Sequence, residues 1–136
     1  MNVLVDTSVW SLALRRATVQ DSPVVAELRE LIREGRVEIM GAIRQELLSG
    51  VREPSQFESL RAHLRAFPDL VLGSADFEQA AECCNRCRAA GVQGSHTDFL
   101  LCAVALSRGL AILTTDGDFT AFARVLPLQL HAPRGG

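Results

Sequence analysis

The chain contains no lysine, because all 14 of its basic residues are arginine. This absence excludes three classes of protein that bind phosphate groups or Mg²⁺ on an α/β sheet. A P-loop enzyme needs Gly-Lys-Ser/Thr, a receiver domain needs a lysine after its last strands, and a haloacid-dehalogenase-type phosphatase needs Asp-x-Asp and a lysine. Ser8 also occupies the position of the second acid in that last motif. A metal or phosphate site in this chain must therefore be built without lysine, from groups such as acids and hydroxyls.

The sequence also shows no long apolar run and no visible signal peptide. Its longest apolar stretch, residues 99–106, has eight residues, whereas a membrane-spanning helix needs about 20. Met1 precedes a strand-like segment directly, without the basic region that opens a secretory signal peptide. The length of 136 residues, with 48% hydrophobic and 22% charged residues, fits one globular domain over residues 1–136. We therefore expect a cytoplasmic protein with no membrane partner.

Cysteine is too sparse for a disulfide framework. The four cysteines are Cys83, Cys84, Cys87 and Cys102, and three of them fall within five residues of one predicted helix. Cys84 and Cys87 have the spacing of half a zinc site, but no second pair completes it. We expect reduced thiols packed in or near helix faces, and the sequence assigns no role to them.

The net charge of −2 argues weakly against a nucleic-acid partner. The distribution of charge is more informative than its sum. If Asp6, Glu46, Asp98, Asp116 and Asp118 gather around a metal ion, 11 acidic residues remain against 14 arginines. The rest of the surface would then be positive by about 3 charges, with guanidinium groups suited to phosphate.

Apolar runs and turn residues predict alternating strands and helices. The predicted strands are residues 3–5, 37–40, 70–72, 110–113 and an edge strand at 128–130. The first predicted helix follows Asp6 and ends near Arg15-Arg16. The next ones cover Pro23 to Gly35, 42–50 and 54–67. A helix capped by Ser74 then ends at Gly91, a helix capped by Ser95 covers 97–108, and a short last helix follows. This order predicts a three-layer α/β/α fold around a parallel sheet of four to five strands.

Four acidic residues fall where such a sheet would expose them at one end. Asp6 ends the first strand, Asp116 follows the fourth, and Glu46 and Asp98 lie near the starts of helices. Ligands of open parallel sheets bind outside the carboxyl ends of the strands. Carboxylates brought together repel one another, and Mg²⁺, which prefers oxygen ligands, removes that repulsion. The pattern therefore predicts a metal site.

Each acid except Asp6 also has an explanation without a metal. Asp98 completes a helix capping box, and Glu46 suits a solvated helix surface. Asp116 begins a turn signal, and Asp118 suits the cap of the last helix. Asp6 follows a buried strand directly and has no turn residue beside it. The metal hypothesis therefore depends on the set of acids rather than on any one of them.

The motifs in this set resemble those of a PIN domain. They are Asp6-Thr7-Ser8 after an N-terminal strand, a helical Glu46, Asp98 within residues 96–103, and Thr115-Asp116-Gly117-Asp118-Phe119. The resemblance covers nearly the whole chain, and the size and motif spacing resemble a VapC-type toxin, the ribonuclease of a bacterial type II toxin–antitoxin pair. It implies a PIN-like fold and an endoribonuclease that depends on Mg²⁺ or Mn²⁺.

Carried over residue by residue, the resemblance implies that the catalytic acids are Asp6, Glu46, Asp98 and Asp116. Metal ligands would be Asp6, Asp98 and Asp116, with Asp118 as a less constant addition. Glu46 is preferred to Glu38, Glu53 and Glu58 because it precedes the run at 47–50, as the glutamate of the family usually does.

The expected reaction is hydrolysis with Glu46 as a ligand or as the residue that orients the attacking water. In-line attack would leave a 5′-phosphate and a 3′-hydroxyl. The hydroxyl groups of Thr7, Ser8 and Thr115 would position a carboxylate or a phosphate oxygen.

The resemblance also implies partners. These are an RNA substrate, a homodimer and a small cognate antitoxin whose C-terminal segment lies in a groove beside the active site. The apolar faces at 24–32 and 57–67 suit such a groove, a dimer face or ordinary core. The alternative is an inactive PIN-like module that binds RNA or protein without cutting. The sequence does not reveal which RNA is the target.

Overall fold

A parallel sheet of three strands lies at the centre of the molecule. In the computed structural model, which describes residues 1–14 and 22–134, the strands are β1 (Val3–Val5), β2 (Val37–Glu38) and β3 (Ala111–Leu113), in the order β2-β1-β3. Every residue of β1 and β3 is buried. The all-apolar runs in the sequence predicted strands covered on both faces, and this is confirmed.

The register of the sheet brings two strand ends side by side. Val5 of β1 is opposite Leu113 of β3, and the amide of Asp6 donates to the carbonyl oxygen of Leu113 at 2.9 Å. Asp6 and Thr114 are therefore the first residues beyond the paired strands. Because the strands are parallel, both lie at the same edge of the sheet.

Two of the predicted strands are wrong, and the sheet has three strands in the described chain rather than four to five. Residues 70–72 form no strand: Ile39 and Asp69 make one isolated bridge, and Val71 is 88% exposed. Residues 128–130 contribute one bridge, between Ile112 and Leu130. Short apolar runs satisfy strand propensity, but a strand also needs a neighbour with free backbone groups, and β2 offers two residues only.

Seven helices accompany the sheet in the described residues. They are α1 (Thr7–Leu14), α2 (Pro23–Arg33), α3 (Gly41–Ser49), α4 (Pro54–Leu64), α5 (Ser74–Ala89), α6 (His96–Arg108) and α7 (Asp118–Val125). The predicted end of the first helix near Arg15-Arg16 lies outside the described residues. None of these helices has the length and apolar character that crossing a membrane requires.

The helix ends follow the capping residues with corrections at α5 and at α7, where Gly117 rather than Asp118 is the capping residue. The side chain of Ser22 caps α2, and Gly109, with φ of 64°, ends α6. Ser74 was expected to cap α5, but Gly73 is the capping residue and Ser74 is the first helical one. The carboxylate of Asp76 accepts the Gly73 amide at 2.9 Å, so an acid in the first turn supplies the stabilising contact.

Helix α6 is the centre of the core. Its residues from Phe99 to Ala105 are all buried, as its almost wholly apolar sequence predicted. Phe122 of α7 packs on Phe99 with ring centroids 5.0 Å apart. Gly94, just before α6, fits under these rings, because a Cβ atom there would lie 2.5 Å from the ring of Phe122. This packing fixes the start of α6, where Asp98 lies.

Candidate active site

Asp6 is buried at the carboxyl end of β1, with only 7% of its surface exposed. Its Oδ2 atom accepts hydrogen bonds from two hydroxyl groups, Ser8 Oγ at 2.8 Å and Thr114 Oγ1 at 2.8 Å. A buried carboxylate without partners would be costly. These two bonds hold one oxygen of Asp6 in place and orient the carboxylate.

Backbone amides of the loop after β3 orient both hydroxyl groups. The amide of Thr115 donates to Ser8 Oγ at 3.0 Å, and the amide of Asp116 donates to Thr114 Oγ1 at 2.9 Å. Each hydroxyl oxygen therefore accepts from the backbone, and its own proton is directed to Asp6. The network fastens the loop after β3 to the start of α1.

Thr114 is the residue that sequence reasoning missed. The prediction named Thr7, Ser8 and Thr115 as positioning hydroxyls, but Thr115 contributes its backbone amide to this network. The signal was present, because Thr114 is the first polar residue after β3 as Asp6 is after β1. Alignment of the ends of β1 and β3 would have identified Thr114, but the register between two strands cannot be read from the sequence.

The four acids that the sequence singled out as catalytic line one cavity of about 620 Å³. They are Asp6, Glu46, Asp98 and Asp116, and Thr7, Ser8 and Thr97 share the wall with them. We call this space the carboxylate cavity. Glu46 reaches it from α3, where its Oε1 atom accepts the hydroxyl of Thr7 at 2.6 Å. This contact ties α3 to the start of α1.

Asp98 performs the capping role and also lines the cavity. Its amide donates to Ser95 Oγ at 3.1 Å, and its Oδ2 atom accepts the amide of Ser95 at 3.2 Å. Burial raises the pKa of Asp98, the Ser95 contacts oppose that rise, and the charges of Asp6 and Asp116 add to it. The capping role and the metal-ligand role of Asp98, both of which the sequence left open, are therefore compatible.

Asp118 belongs to a second, overlapping group of acids. Ligand atoms of Asp98, Asp116 and Asp118 all lie within 4.8 Å of one another, whereas Asp118 is exposed and does not line the carboxylate cavity. The amide of Asp118 donates to Asp116 Oδ1 at 2.9 Å, so Asp116 also turns the loop into α7. Asp98 and Asp116 are the members that both groups share.

These residues fit a hard divalent cation. The donors are carboxylate oxygens, which Mg²⁺ and Mn²⁺ prefer. The raised pKa of Asp98 reflects burial and crowded negative charge, and a bound cation would offset both. A ligand set of oxygen atoms without histidine or cysteine does not favour zinc.

The sequence pattern of the PIN domain matches residues 3–125. The chain belongs to the PIN domain family. It is 34% identical over 131 residues to the VapC ribonuclease Mb1587 of Mycobacterium bovis, a match that covers 93% of this chain and 96% of the relative. The ribonuclease VapC11 of Mycobacterium tuberculosis matches with the same identity and coverage.

Solved structures confirm the fold of this PIN domain. The FitAcB structure from Neisseria gonorrhoeae matches with a TM-score of 0.78 and 23% identity, over 98% of this chain and 99% of the other. The VapBC2 structure from Rickettsia felis, bound to a promoter DNA fragment, matches with a TM-score of 0.77 and 18% identity, over 96% and 98% of the two chains. The predicted PIN-like α/β fold is thus correct.

A second cavity of about 600 Å³ adjoins the carboxylate cavity. Glu46 lines both, and the second is also lined by Leu14, Leu47, Leu60 and His63 of α1, α3 and α4. We call it the α1–α4 cavity. The sequence suggested two apolar faces, at 24–32 and 57–67, for an antitoxin groove. The face on α2 lies mostly in the core, whereas the face on α4 contributes Leu60 to the α1–α4 cavity.

Proposed function

We propose that this PIN domain is the endoribonuclease toxin of a toxin–antitoxin pair and acts in the cytoplasm as one domain over residues 1–136. The observation that carries the proposal is the carboxylate cavity, where Asp6, Glu46, Asp98 and Asp116 converge from four separate segments. The names of the VapC relatives support ribonuclease activity. Beyond the matched residues 3–125, Arg134 pairs with Glu27 at 3.1 Å, which supports one unit that includes the C-terminal segment.

We assign Asp6, Asp98 and Asp116 as the residues that hold Mg²⁺ or Mn²⁺, with Asp118 as an additional ligand. Such an ion, when bound, orients the attacking water, lowers its pKa and stabilises charge on the scissile phosphate. Ser8 and Thr114 orient Asp6 through its Oδ2 atom. Ser95 fixes Asp98 through the capping box.

Glu46 has a separate role in this proposal. It lies on α3 and lines the same cavity as the aspartates, and Thr7 orients its side chain through Oε1. Its carboxylate accepts the hydrogen bond of the attacking water and aligns it for in-line displacement. Cleavage then leaves a 5′-phosphate and a 3′-hydroxyl.

The experiment is RNA cleavage by the purified protein, with and without EDTA, followed by Mg²⁺ or Mn²⁺. We expect EDTA to abolish cleavage and either ion to restore it. Asp6→Asn should abolish cleavage, because it removes a negative charge that holds the cation. RNA binding should persist, because asparagine keeps an oxygen that can accept both hydroxyl groups. Undiminished cleavage by a clean Asp6→Asn preparation would disprove the assignment.

Two glutamate-to-glutamine variants distinguish the loss of a negative charge in the carboxylate cavity from the loss of one elsewhere on the surface. Glu46→Gln should also abolish cleavage, whereas Glu82→Gln, at an exposed position on α5, should leave it unchanged. An inactive module that binds RNA or protein is the second candidate function. If the protein is such a module, the wild-type protein should bind RNA or a protein partner but should not cleave RNA when Mg²⁺ or Mn²⁺ is added.

We also propose a small antitoxin as the protein partner and a homodimer as the toxin's own state. The structural neighbours VapBC2 and FitAcB support the antitoxin partner. The α1–α4 cavity supports the antitoxin proposal, because an occupant there would reach Glu46. Co-expression with a candidate antitoxin encoded by a small adjoining reading frame should yield a stable complex without ribonuclease activity, and sedimentation of the toxin alone tests the dimer.

A further inference from the structure

A third cavity, of about 350 Å³, opens between α5 and α6. We call it the α5–α6 cavity. Its volume lies within the usual range of ligand pockets, about 300–1,000 Å³. Thr97 lines this cavity and the carboxylate cavity, so the two adjoin. None of the residues assigned above to metal or water contributes to its wall.

The wall from α5 is a stripe of residues at helical spacing. Phe77, Ala81, Cys84 and Arg88 recur every three or four positions and therefore share one face of the helix. The small side chain of Ala81 leaves room in the middle of the stripe. With a rise of about 1.5 Å per residue, Phe77 and Arg88 lie about 16 Å apart along the helix axis.

The two ends of the stripe differ in chemistry. Phe77 is 56% exposed, which leaves a face of an aromatic ring open to a ligand. Arg88 is exposed, and its Nη2 atom lies 3.4 Å from Cys84 Sγ. It forms no ion pair with any acid in the described part of the chain. The segment 90–95 links α5 to α6, so Arg88 lies at the end of the cavity near His96 and the active site.

This lining matches a nucleotide better than a purely apolar ligand. Exposed aromatic rings stack on the bases of single-stranded nucleic acid, and arginine binds the phosphate groups. Asn85 also lines the cavity, and its amide supplies donors and an acceptor for the edge of a base. A basic, aromatic cavity that adjoins a carboxylate cavity is therefore arranged to hold RNA beside the site of cleavage.

We propose that the α5–α6 cavity is a nucleotide subsite, which binds the RNA nucleotide next to the scissile phosphate. Phe77 stacks on its base, Arg88 binds its phosphate, and Asn85 contacts the edge of the base. This inference rests on the proposed ribonuclease function and identifies residues that hold the substrate, of which Asn85 would contact the edge of a base and so discriminate between bases. It concerns binding of the substrate, so kcat should depend on it less than KM does.

The test uses the wild-type cleavage position, mapped first on a single-stranded RNA oligonucleotide. Phe77→Ala should raise KM about tenfold, as loss of one stacking contact implies, while kcat changes less than twofold. An oligonucleotide with an abasic ribose beside the cleaved bond should raise KM similarly for wild-type protein. For Phe77→Ala the abasic substrate should cause no further loss, because the two changes remove the same contact.

Further variants test whether the changes in KM come from stacking on Phe77 and from the charge of Arg88 rather than from damage to the fold. Phe77→Trp should retain wild-type KM, and Ala81→Trp, at an exposed position, should fill the cavity and raise KM. Arg88→Gln should raise KM and lower the salt dependence of RNA binding by about one unit of slope. Arg33→Gln is the matched control, because Arg33 is an exposed cation that pairs with Glu30 on α2.

The outcomes distinguish the subsite from the activity itself. Wild-type protein that cleaves no RNA in the presence of Mg²⁺ or Mn²⁺ would overturn the proposed function, and the subsite with it. Cleavage that is unaffected by Phe77→Ala and Ala81→Trp would overturn the subsite alone. A change of oligomeric state on sedimentation of Phe77→Ala would also overturn it, because this face would then be an interface between copies of the chain.

Discussion

The hydroxyl group of Thr114 donates a hydrogen bond of 2.8 Å to Oδ2 of Asp6, although 108 residues separate the two in sequence. The same hydroxyl accepts the amide of Asp116 at 2.9 Å. One side chain thus links two of the acids in the carboxylate cavity. Its contribution to activity is testable without changing an acid.

We expect Thr114→Val to lower RNA cleavage by about 10- to 100-fold, the usual cost of losing a partner that orients a metal ligand. Valine keeps the shape of threonine but removes the proton given to Asp6. The measurement is single-turnover cleavage at saturating Mg²⁺. Thr120→Val, at an exposed position on α7, is the control, and equal activity of the two variants would contradict the prediction.

Asp118 should contribute less to metal binding than Asp116. Both lie in the group within 4.8 Å, but Asp118 is exposed and outside the carboxylate cavity. In a Mn²⁺ titration followed by calorimetry, Asp116→Asn should abolish measurable binding, whereas Asp118→Asn should weaken it by about tenfold or less. A larger loss of Mn²⁺ binding in Asp118→Asn than in Asp116→Asn would indicate that the metal lies nearer the start of α7.

The C-terminal segment should make stability dependent on pH through Glu27. This side chain is 2% exposed; His131 Nε2 lies 2.6 Å from its Oε2 atom, and Arg134 donates to it at 3.1 Å. Burial raises the pKa of Glu27, but the contacts with His131 and Arg134 lower it by more, so that the pKa lies below its usual 4.5. Hydrogen bonds from Arg134 and Arg36 lower the pKa of Glu34 to about 2.

Because the folded pKa of each glutamate is lower than its unfolded value of 4.5, this stability is complete above pH 4.5 and is lost as the pH falls through the folded pKa, which is about 2 for Glu34. Glu27→Gln should reduce the free energy of unfolding by about 2 kcal/mol at pH 7 and flatten its decline in acid. Urea unfolding at several pH values measures both effects. Glu30→Gln, which removes an exposed ion pair only, should change stability by less than about 0.5 kcal/mol.

Gly94 should tolerate no side chain. A Cβ atom there would lie 2.5 Å from Phe122 and 3.1 Å from Phe99, so Gly94→Ala should cost about 1–3 kcal/mol of stability. Thermal unfolding is the measurement. Gly73→Ala is the matched control, because its Cβ atom would meet nothing within 4 Å, and an equal loss in both variants would show that the contact with Phe122 and Phe99 is not responsible.

The thiols should react unequally. Cys83, Cys87 and Cys102 are buried, and burial raises the pKa of each, whereas Cys84 is partly exposed. Ellman's reagent should therefore modify one thiol rapidly in native protein and four after unfolding. The rapid phase should vanish in Cys84→Ser. A rapid phase that persists would contradict the buried positions of the other three.

Much of the candidate site is readable from the sequence because it depends on local chemistry. The apolar runs at 3–5 and 111–113 identify strands buried on both faces, and Asp6 follows the first of them. Ser95 and Asp98 predict their own capping box, which is present. The absence of lysine excludes the competing phosphate-binding classes without any coordinates.

Only the tertiary structure decided which residues meet. Thr114 reaches Asp6 because the register pairs Val5 with Leu113, and a parallel register is set by packing across the whole sheet rather than by either strand. Residues 70–72 have the composition of a strand but make no ladder in the sheet. Local propensity determined the elements and the acids; long-range pairing determined the sheet, the hydroxyl network around Asp6 and the cavity that the acids share.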